Sequence, residues 1–314
     1  MKATREAFGN TLPLMGEINE NIVALDADLG GATKIRAFGQ EHPDRFFQMG
    51  IAEANMIGVA SGLSEYGYKV FLASFGSFLT GRYDMIRCSL AYPNQPVVLV
   101  GTHVGMAIGK DGVTQMGLED VSLMRALPNM KVLNPATYTE AVEVVKYLCN
   151  TDLDSPHYLR LGRQPVEDVF EHGYDFEFGK GVEVIGGEDV TIFSTGCVLS
   201  DVLDSAKTIE EQTGNSVRVI NIPTLKPIDE EIIIKAAKET DLLVTVEDHS
   251  IIGGLGSAVS EVLTEHCPSR LVRIGLNDEF PESGPPTDLY EKYGLSSNKI
   301  YERVLDELVR SKVF

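Results

Sequence analysis

Glu53 is the residue of this chain best suited to do chemistry. It lies in the apolar run of residues 49–56, where a helix is predicted to begin, and an aromatic-rich strand end carrying Phe75 and Phe78 follows it. Burying a carboxylate costs free energy unless the group is paired or hydrogen-bonded. A buried carboxylate beside stacking aromatic rings would suit a heteroaromatic cofactor. Taken alone, however, Glu53 is better explained by its favourable interaction with the helix dipole, and the two rings by core packing.

A glycine-punctuated loop at residues 102–115 carries a second set of polar side chains. It contains His103, Lys110, Asp111 and Gln115, and it connects a buried strand to a helix. Long loops of this kind are usually either functional or disordered. The moderate apolar content of this loop indicates that it is ordered, and we predict that it contacts a substrate.

The first half of the chain alternates strand-like and helix-like segments that would position these side chains. The segment at 97–100 is short, β-branched and continuously apolar, which is typical of a strand buried on both faces. Strands are predicted at 22–25, 70–73, 97–100, 131–133 and 157–161, and helices at 53–66, 79–91, 118–127 and 137–149. This alternation predicts a parallel sheet with helices on both faces.

From residue 164 the periodicity lapses, and a second α/β series then begins. Its strands are predicted at 190–194, 217–222, 242–247 and 270–274, and its helices at 198–212, 228–239, 253–265 and 297–310. We therefore predict an α/β protein of two domains. Residues 1–165 would form a parallel-sheet domain, 166–185 a linker, and 186–314 a smaller mixed α/β domain.

The unusual polar and aromatic residues of the first domain follow the predicted strands. Ligands of parallel α/β sheets bind beyond the carboxyl ends of the strands. Residues at such ends are Asp26, Asp28, Phe75, Phe78, Thr102, His103, Arg160 and Arg163. One polar residue at a strand end would mean little, but several in one domain favour a binding site.

Three other features carry weaker signals. The glycine-rich run at 253–256 resembles the start of an anion-binding helix, but it lacks the full dinucleotide-binding spacing, and we predict close strand–helix packing instead. The neighbours Glu247, Asp248 and His249 could suggest a metal, yet adjacent residues rarely converge on one ion, so polarity of a turn is the better explanation. The four cysteines form no CxxC pair, which indicates neither zinc nor a disulfide framework.

The composition excludes several classes of function. A formal net charge of −19 over 314 residues argues against nucleic acid or an anionic membrane as the main partner. No signal-type apolar core and no apolar run long enough to span a bilayer occur in the sequence. We expect a soluble cytoplasmic protein that concentrates its few arginines where it binds anionic substrates.

Together, these segments resemble the C-terminal half of transketolase over essentially the whole chain. Each piece is weakly specific, and the combination is highly specific. The matching segments are 3–5, 22–28, 50–53, 77–78, 103–115, 118–120 and 161–163 in the first domain, and 194–196, 247–249 and 253–256 in the second. The resemblance implies a pyrimidine-binding domain followed by a transketolase C-terminal domain.

The resemblance further implies that thiamine diphosphate is the cofactor and that the first domain binds its aminopyrimidine ring. Glu53 would hydrogen-bond the ring nitrogen remote from the thiazolium, and this bond promotes removal of the thiazolium proton. Phe78 would stack on the pyrimidine, with Phe75 as a second wall. Asp28 matches an aspartate near the thiazolium.

The activity implied is the transfer of a two-carbon ketol unit from a ketose phosphate to an aldose phosphate. Arg5, His103 and Arg163 match positions that bind the phosphate or far end of the sugar, where the planar guanidinium suits phosphate. His103 is also expected to take part in catalysis. Asp111 matches a residue that contacts sugar hydroxyls.

Two positions depart from the common pattern of the family. Gln115 stands where bacterial-type enzymes have histidine; it can hydrogen-bond a sugar hydroxyl but cannot carry a proton. Ala32 stands where the family commonly has a phosphate-contacting serine. Either Thr33 replaces that serine, or the sugar differs from the usual pentose phosphates.

The sequence contains no Gly-Asp-Gly run, the motif through which the family binds the diphosphate and its divalent metal. It also begins at the segment where fused enzymes enter the pyrimidine-binding domain. We therefore expect one subunit of a split transketolase in an α2β2 heterotetramer, with the diphosphate and Mg²⁺ held mainly by a separate N-terminal subunit. The alternatives are a 1-deoxyxylulose-5-phosphate synthase-like enzyme, the β subunit of a 2-oxoacid dehydrogenase, and a non-catalytic partner of the same fold.

Overall fold

The structure of the chain is a computed structural model that describes residues 1–170 and 173–311. Its strands are β1 (Ile22–Asp26), β2 (Phe46–Gln48), β3 (Lys69–Phe75), β4 (Val97–Thr102), β5 (Lys131–Leu133), β6 (His157–Leu161), β7 (Val182–Ile185), β8 (Val190–Thr195), β9 (Val217–Asn221), β10 (Thr224–Lys226), β11 (Leu242–Ser250) and β12 (Leu271–Leu276). Its α-helices are α1 (Thr4–Ile18), α2 (Gly30–Thr33), α3 (Arg36–Glu41), α4 (Glu53–Glu65), α5 (Gly76–Thr80), α6 (Tyr83–Ile86), α7 (Asp120–Ala126), α8 (Tyr138–Asn150), α9 (Leu199–Thr213), α10 (Glu230–Glu239), α11 (Leu255–His266), α12 (Pro286–Tyr293) and α13 (Ser297–Ser311). Short 3₁₀ segments occupy Pro43–Arg45, Met106–Asp111, Val113–Gln115 and Gly196–Val198, and Arg87–Ala91 is π-helical.

Seven strands form the first sheet, in the order β10-β5-β6-β4-β3-β1-β2. All neighbours are parallel except β10, which crosses from the second half of the chain and pairs antiparallel with β5. The register aligns Asp26 with Ala73, Phe75 with Thr102, and Thr102 with Leu161. The carboxyl ends of β1, β3, β4 and β6 therefore meet at one edge of the sheet.

Successive residues of the central strands face opposite sides of this sheet, because side chains alternate along a strand. Ala24, Phe71 and Val98 contact the core formed with α1, α3 and α8. Their neighbours Leu25, Leu72 and Leu99 contact the core formed with α4, to which α10 and α11 also contribute. Both faces are thus buried, which explains the continuous apolar runs in the sequence.

Five strands form the second sheet, in the order β12-β11-β8-β9-β7, with β7 antiparallel to β9 and the other pairs parallel. The predicted α/β class with two sheets in which parallel pairs dominate is confirmed. The predicted linker at 166–185 contains the edge strand β7, while its residues 171–172 and the terminal residues 312–314 lie outside the described ranges. Across the described part of the chain, no helix combines the length and apolarity needed to cross a membrane.

The predicted helix at 79–91 is wrong in detail. It is divided into α5, α6 and the π-helical stretch, because Gly81 ends α5 and Arg82 leaves the helical region at φ −121° and ψ 34°. The predictions also omitted α1, α2, α3, α12, β2, β7 and β10. Two of these elements, β2 and β10, have only three residues each, which is too short for a periodic pattern.

Candidate active site

The order of the strands brings the predicted site residues to one edge of the first sheet. Neighbouring strands run β2-β1-β3-β4-β6, and all four pairs are parallel. Glu53 follows β2, Asp28 follows β1, Phe75 ends β3, His103 follows β4 and Arg163 follows β6. The candidate residues therefore succeed one another along the carboxyl edge, where ligands of such sheets bind.

Glu53 is the first residue of α4, and it is only 6 % exposed. Its carboxylate makes no hydrogen bond or ion pair with another side chain or with the backbone of the described residues. Neither of its oxygens is among the fully buried atoms that lack a hydrogen-bond partner, so the carboxylate keeps contact with solvent at this edge. The group is therefore suited to bind a donor that comes from outside this chain.

Gln48, at the end of β2, forms hydrogen bonds with both the segment after β1 and the segment after β2. Its amide nitrogen donates to Asp26 Oδ2 over 2.6 Å, and its amide oxygen accepts the N–H groups of Asp28 and Gly50, both at 3.0 Å. Asp28 has a left-handed backbone at φ 63° and an exposed side chain. Gln48 thus fixes the Asp28 backbone beside the segment that leads to Glu53. The sequence predictions did not include Gln48, which ends the edge strand that was missed.

Phe75, Phe78 and His103 form a stack. The ring centroids of Phe75 and Phe78 are 5.3 Å apart with an interplanar angle of 21°, and those of Phe75 and His103 are 3.8 Å apart at 26°. Phe75 and His103 are buried, whereas Phe78 is half-buried. Phe78 is therefore the ring of the stack that is most open to a flat ligand, and Phe75 supports it from behind.

The hydrogen bonds of His103 define its tautomer. Arg5 Nη1 lies 3.1 Å from Nε2, and because a guanidinium can only donate, Nε2 accepts. Nδ1 therefore carries the proton and donates to the hydroxyl of Thr102 over 2.9 Å, and that hydroxyl can donate in turn to the Ser74 carbonyl at 3.5 Å. Both ring nitrogens of the neutral imidazole are occupied.

The electrostatic surroundings of His103 favour its neutral form. Burial, followed by the positive charges of Arg5, Arg163 and Lys34, lowers the pKa of His103 to about 3. Burial and the nearby Arg163 also lower the pKa of Arg5. Cations gathered around a neutral imidazole favour the binding of an anion.

Arg163 joins the strand edge to the loop at residues 102–115, which we call the substrate loop. Its Nη1 donates to Asp111 Oδ2 over 2.5 Å and to the Ile108 carbonyl over 3.0 Å, and both charged side chains remain partly exposed, at 41 % and 43 %. A cavity of about 690 Å³ opens beside this pair and is also lined by Arg5, Lys110 and Pro286. Gln115 is half-buried, and its side chain makes no hydrogen bond with another described residue.

The surroundings of Thr33 bear on the two explanations offered for Ala32. Thr33 is fully buried and its hydroxyl donates to the Leu29 carbonyl over 3.2 Å. In this conformation the hydroxyl does not face the site, so the replacement of the serine by Thr33 has no support from the structure. The Ala32 carbonyl instead accepts from Arg5 Nη1 over 2.8 Å, so the backbone at this position orients Arg5.

The polar residues of the second sheet have structural contacts. Glu247 accepts the N–H groups of Leu255 and Gly256, at 2.7 and 2.8 Å, and so caps the start of α11. A Cβ at Gly254 would lie 1.9 Å from Glu247 Oε2, in agreement with the close strand–helix packing predicted for this run. Over the described ranges, no group of three or more His, Cys, Asp or Glu side chains could hold a metal ion.

Comparison with protein families gives two matches in succession. The family model described as "Transketolase, pyrimidine binding domain" matches residues 1–168, and the model "Transketolase, C-terminal domain" matches residues 179–300. Both domains of the resemblance are thus matched in the expected order.

Individual proteins agree with these matches. A "Putative transketolase C-terminal section" from Methanocaldococcus jannaschii is 42% identical over 311 residues, which are 98% of this chain and 96% of that protein. A solved structure described as "Split gene transketolase, inactive beta4 tetramer" has a TM-score of 0.91 and 42% identity, covering 98% of this chain and 99% of that one. A 1-deoxy-D-xylulose-5-phosphate synthase from Caldanaerobacter subterraneus is 36% identical over 302 residues, but these are only 48% of its length against 96% of this chain.

Proposed function

The chain belongs to the transketolase family, and from this we propose that it is one subunit of a two-chain transketolase, which supplies the pyrimidine-binding half of a thiamine diphosphate site. The observation that carries the proposal is Glu53, a residue only 6 % exposed whose carboxylate has no partner within the described residues. An aminopyrimidine ring nitrogen is a partner of the required kind. The relatives described as a C-terminal section and as a split-gene transketolase, each matched over nearly its whole length, support the two-chain arrangement.

The residues at the carboxyl edge fit the cofactor. When bound, thiamine diphosphate supplies a nucleophilic carbon that can break and form the bond next to a carbonyl group. Glu53 would hold a proton at the pyrimidine nitrogen. Phe78 would cover the face of the ring, with Phe75 supporting it. Asp28 would lie near the thiazolium, and the diphosphate with its Mg²⁺ would be held mainly by the partner subunit.

The positively charged end of the site would bind the far end of the sugar. Arg5 and Arg163 offer guanidinium donors that suit a phosphate, and Asp111 with Gln115 would contact sugar hydroxyls. We assign His103 to substrate binding and to the orientation of Arg5. A catalytic role for His103 through proton transfer has less support, because the imidazole is neutral and both of its nitrogens are hydrogen-bonded.

We further propose an α2β2 assembly with a diphosphate-binding N-terminal subunit, acting on a ketose phosphate and an aldose phosphate. The word "inactive" in the description of the solved β4 tetramer is consistent with a need for that second subunit. A cytoplasmic location is proposed because all four cysteines are free thiols, as in reducing compartments.

The test is the substitution Glu53→Gln in the complex with the diphosphate-binding subunit. The amide has nearly the same size but cannot hold the proton, so we expect ketol transfer to fall by about 10²- to 10⁴-fold. The matched control is Glu65→Gln, at the exposed far end of the same helix, which should leave the rate unchanged. Ketol transfer near the wild-type rate in Glu53→Gln would refute the role of Glu53.

The same assay separates the rival enzyme activity. A panel of ketose and aldose phosphates tests ketol transfer, and a 2-oxoacid donor tests decarboxylating condensation. Carbon dioxide release from the 2-oxoacid, with no transfer between sugars, would assign the chain to the synthase-like or dehydrogenase alternative.

A further inference from the structure

We propose that Asp248, in the second sheet, is a positioning residue that holds the substrate loop of the first domain in its binding conformation. The proposal concerns the substrate loop at residues 102–115, and its consequence for sugar binding depends on the proposed function. Asp248 belongs to β11 and is 5 % exposed. The sequence of the loop alone could not have indicated this role, because Asp248 lies 142 positions from Met106, the residue that it contacts.

The carboxylate of Asp248 binds the start of the 3₁₀ segment in this loop. Its Oδ1 accepts the N–H of Met106 over 2.9 Å. Its Oδ2 accepts the hydroxyl of Tyr290, in α12, over 2.8 Å. One carboxylate thus joins the backbone of the loop to α12.

The backbone beside Asp248 is shaped for this contact. Gly105 has φ +72°, and a Cβ there would lie 2.0 Å from Asp248 Oδ2. Glycine is therefore required both by the left-handed conformation and by the approach of the carboxylate. His103, two residues earlier, also has a left-handed backbone at φ 57°. A shift of the backbone at Gly105 would therefore displace His103, which orients Arg5.

Other parts of the second half of the chain contact the same loop. A Cβ at Gly109 would lie 3.0 Å from the Gly284 carbonyl, and one at Gly112 would lie 2.5 Å from Ser283 Oγ. The segment before α12 therefore lies directly against the stretch that leads to Asp111. On the other side, Arg163 binds the Ile108 carbonyl and the Asp111 carboxylate. The loop is held by contacts from both halves of the chain, and Asp248 binds it at Met106, three residues after His103.

Asp248 also belongs to the contact between the two halves, since its backbone carbonyl accepts from Arg160 Nη2 over 2.9 Å. A role limited to that contact predicts loss of stability alone. A positioning role predicts, in addition, a selective loss of sugar affinity and faster exchange of the loop amides. These outcomes separate the two explanations.

The experiment compares Asp248→Ala with Asp248→Asn in the full chain. Asparagine can still accept from Met106 and donate to the Tyr290 oxygen, so it should rescue the loop; alanine removes both bonds. Hydrogen exchange at the amides of residues 105–112 should accelerate about tenfold or more in Asp248→Ala, and by less than about threefold in Asp248→Asn. Exchange in α4, far from this loop in the chain, should stay unchanged and serves as the internal control.

In the complex with the partner subunit, Asp248→Ala should raise the KM for the sugar substrates about 10-fold or more while kcat falls by less than about threefold. If Asp248→Ala fails to fold, Tyr290→Phe should still show the faster loop exchange. It removes the hydrogen bonds of the Tyr290 hydroxyl with Asp248 and Gln164 but keeps the bond from Met106 to Asp248. Unchanged loop exchange together with an unchanged KM would overturn the proposal. Faster exchange in a chain whose complex transfers no ketol unit would leave Asp248 as the loop anchor and refute the proposed function instead.

Discussion

Replacing Asp120 tests the buried ion pair that ties the site to the protein core. Asp120 is fully buried, and its Oδ2 accepts the Tyr158 hydroxyl over 2.8 Å and Arg160 Nε over 2.9 Å. The side chain of Arg160 is 4% exposed. Arg160 also donates to the carbonyls of Asp248 and of Gly117, which lies two residues after the substrate loop. The pair therefore stands between the core and the contact of the two sheets.

The cost of Asp120→Ala can be worked from these contacts. Leaving one charge of a buried pair without its partner costs about 3–5 kcal/mol, and an unpartnered buried hydroxyl costs about 1–3 kcal/mol. The two costs do not add, because Arg160 keeps two carbonyl acceptors. We expect the free energy of unfolding to fall by about 4 kcal/mol, a large share of the 5–15 kcal/mol typical of folded proteins.

Asp120→Asn should cost less. The amide oxygen can accept from both Tyr158 and Arg160, and the amide nitrogen would face His249 Nε2, which lies 3.9 Å from Asp120 Oδ1 and has no hydrogen-bond partner in the described residues. Only the negative charge opposite Arg160 is lost. We expect a loss of roughly half that of Asp120→Ala.

The assay is urea unfolding of the isolated chain followed by far-ultraviolet circular dichroism, because the chain contains no tryptophan. The control is Glu143→Ala, which breaks the partly exposed pair with Lys146 and should change the free energy of unfolding by less than about 0.5 kcal/mol. If Asp120→Ala cost no more than this control, the reasoning about the buried pair would be refuted.

Two further predictions concern protonation. His103 should remain neutral down to about pH 4 in nitrogen-15 NMR spectra of the folded chain, because burial and neighbouring cations lower its pKa to about 3. Since this pKa lies below the value of about 6.5 in the unfolded chain, His103 should destabilise the fold progressively as the pH falls from about 6.5 towards 3. A titration of His103 near pH 6.5 in the folded chain would contradict the assignment. Cys149, whose pKa burial raises to about 12, should resist iodoacetamide at pH 8 while the exposed Cys88 reacts, as read by mass spectrometry; equal labelling of both thiols in the native chain would contradict the buried environment.

The sequence predicts the elements with strong periodicity. β4 is a continuously apolar strand and α4 has a regular apolar face, and both lie within two residues of their predicted bounds. The elements that were missed depend on tertiary contacts. The strand β10 exists because it pairs with β5 across more than 90 positions, and no local pattern records such pairing.

In the candidate site, too, the sequence predicts some features and only the folded chain determines others. The positions of Glu53, Phe78 and Arg163 follow from the strand ends and the family resemblance, because parallel strands bring their carboxyl ends together. The contacts that orient them do not follow. The hydrogen bond from Arg5 to His103, the engagement of Thr33 inside its own helix and the contact of Asp248 with Met106 each join residues whose approach only the folded chain determines.

The most direct test of the central claim is a calorimetric titration of thiamine diphosphate, with and without Mg²⁺, into this chain alone, into the diphosphate-binding subunit alone, and into their mixture. If Glu53 binds one end of a cofactor whose other end belongs to a second protein, only the mixture should bind tightly and with dependence on Mg²⁺, and Glu53→Gln should weaken that binding while Glu65→Gln should not. Tight, Mg²⁺-dependent binding by this chain alone would contradict the account.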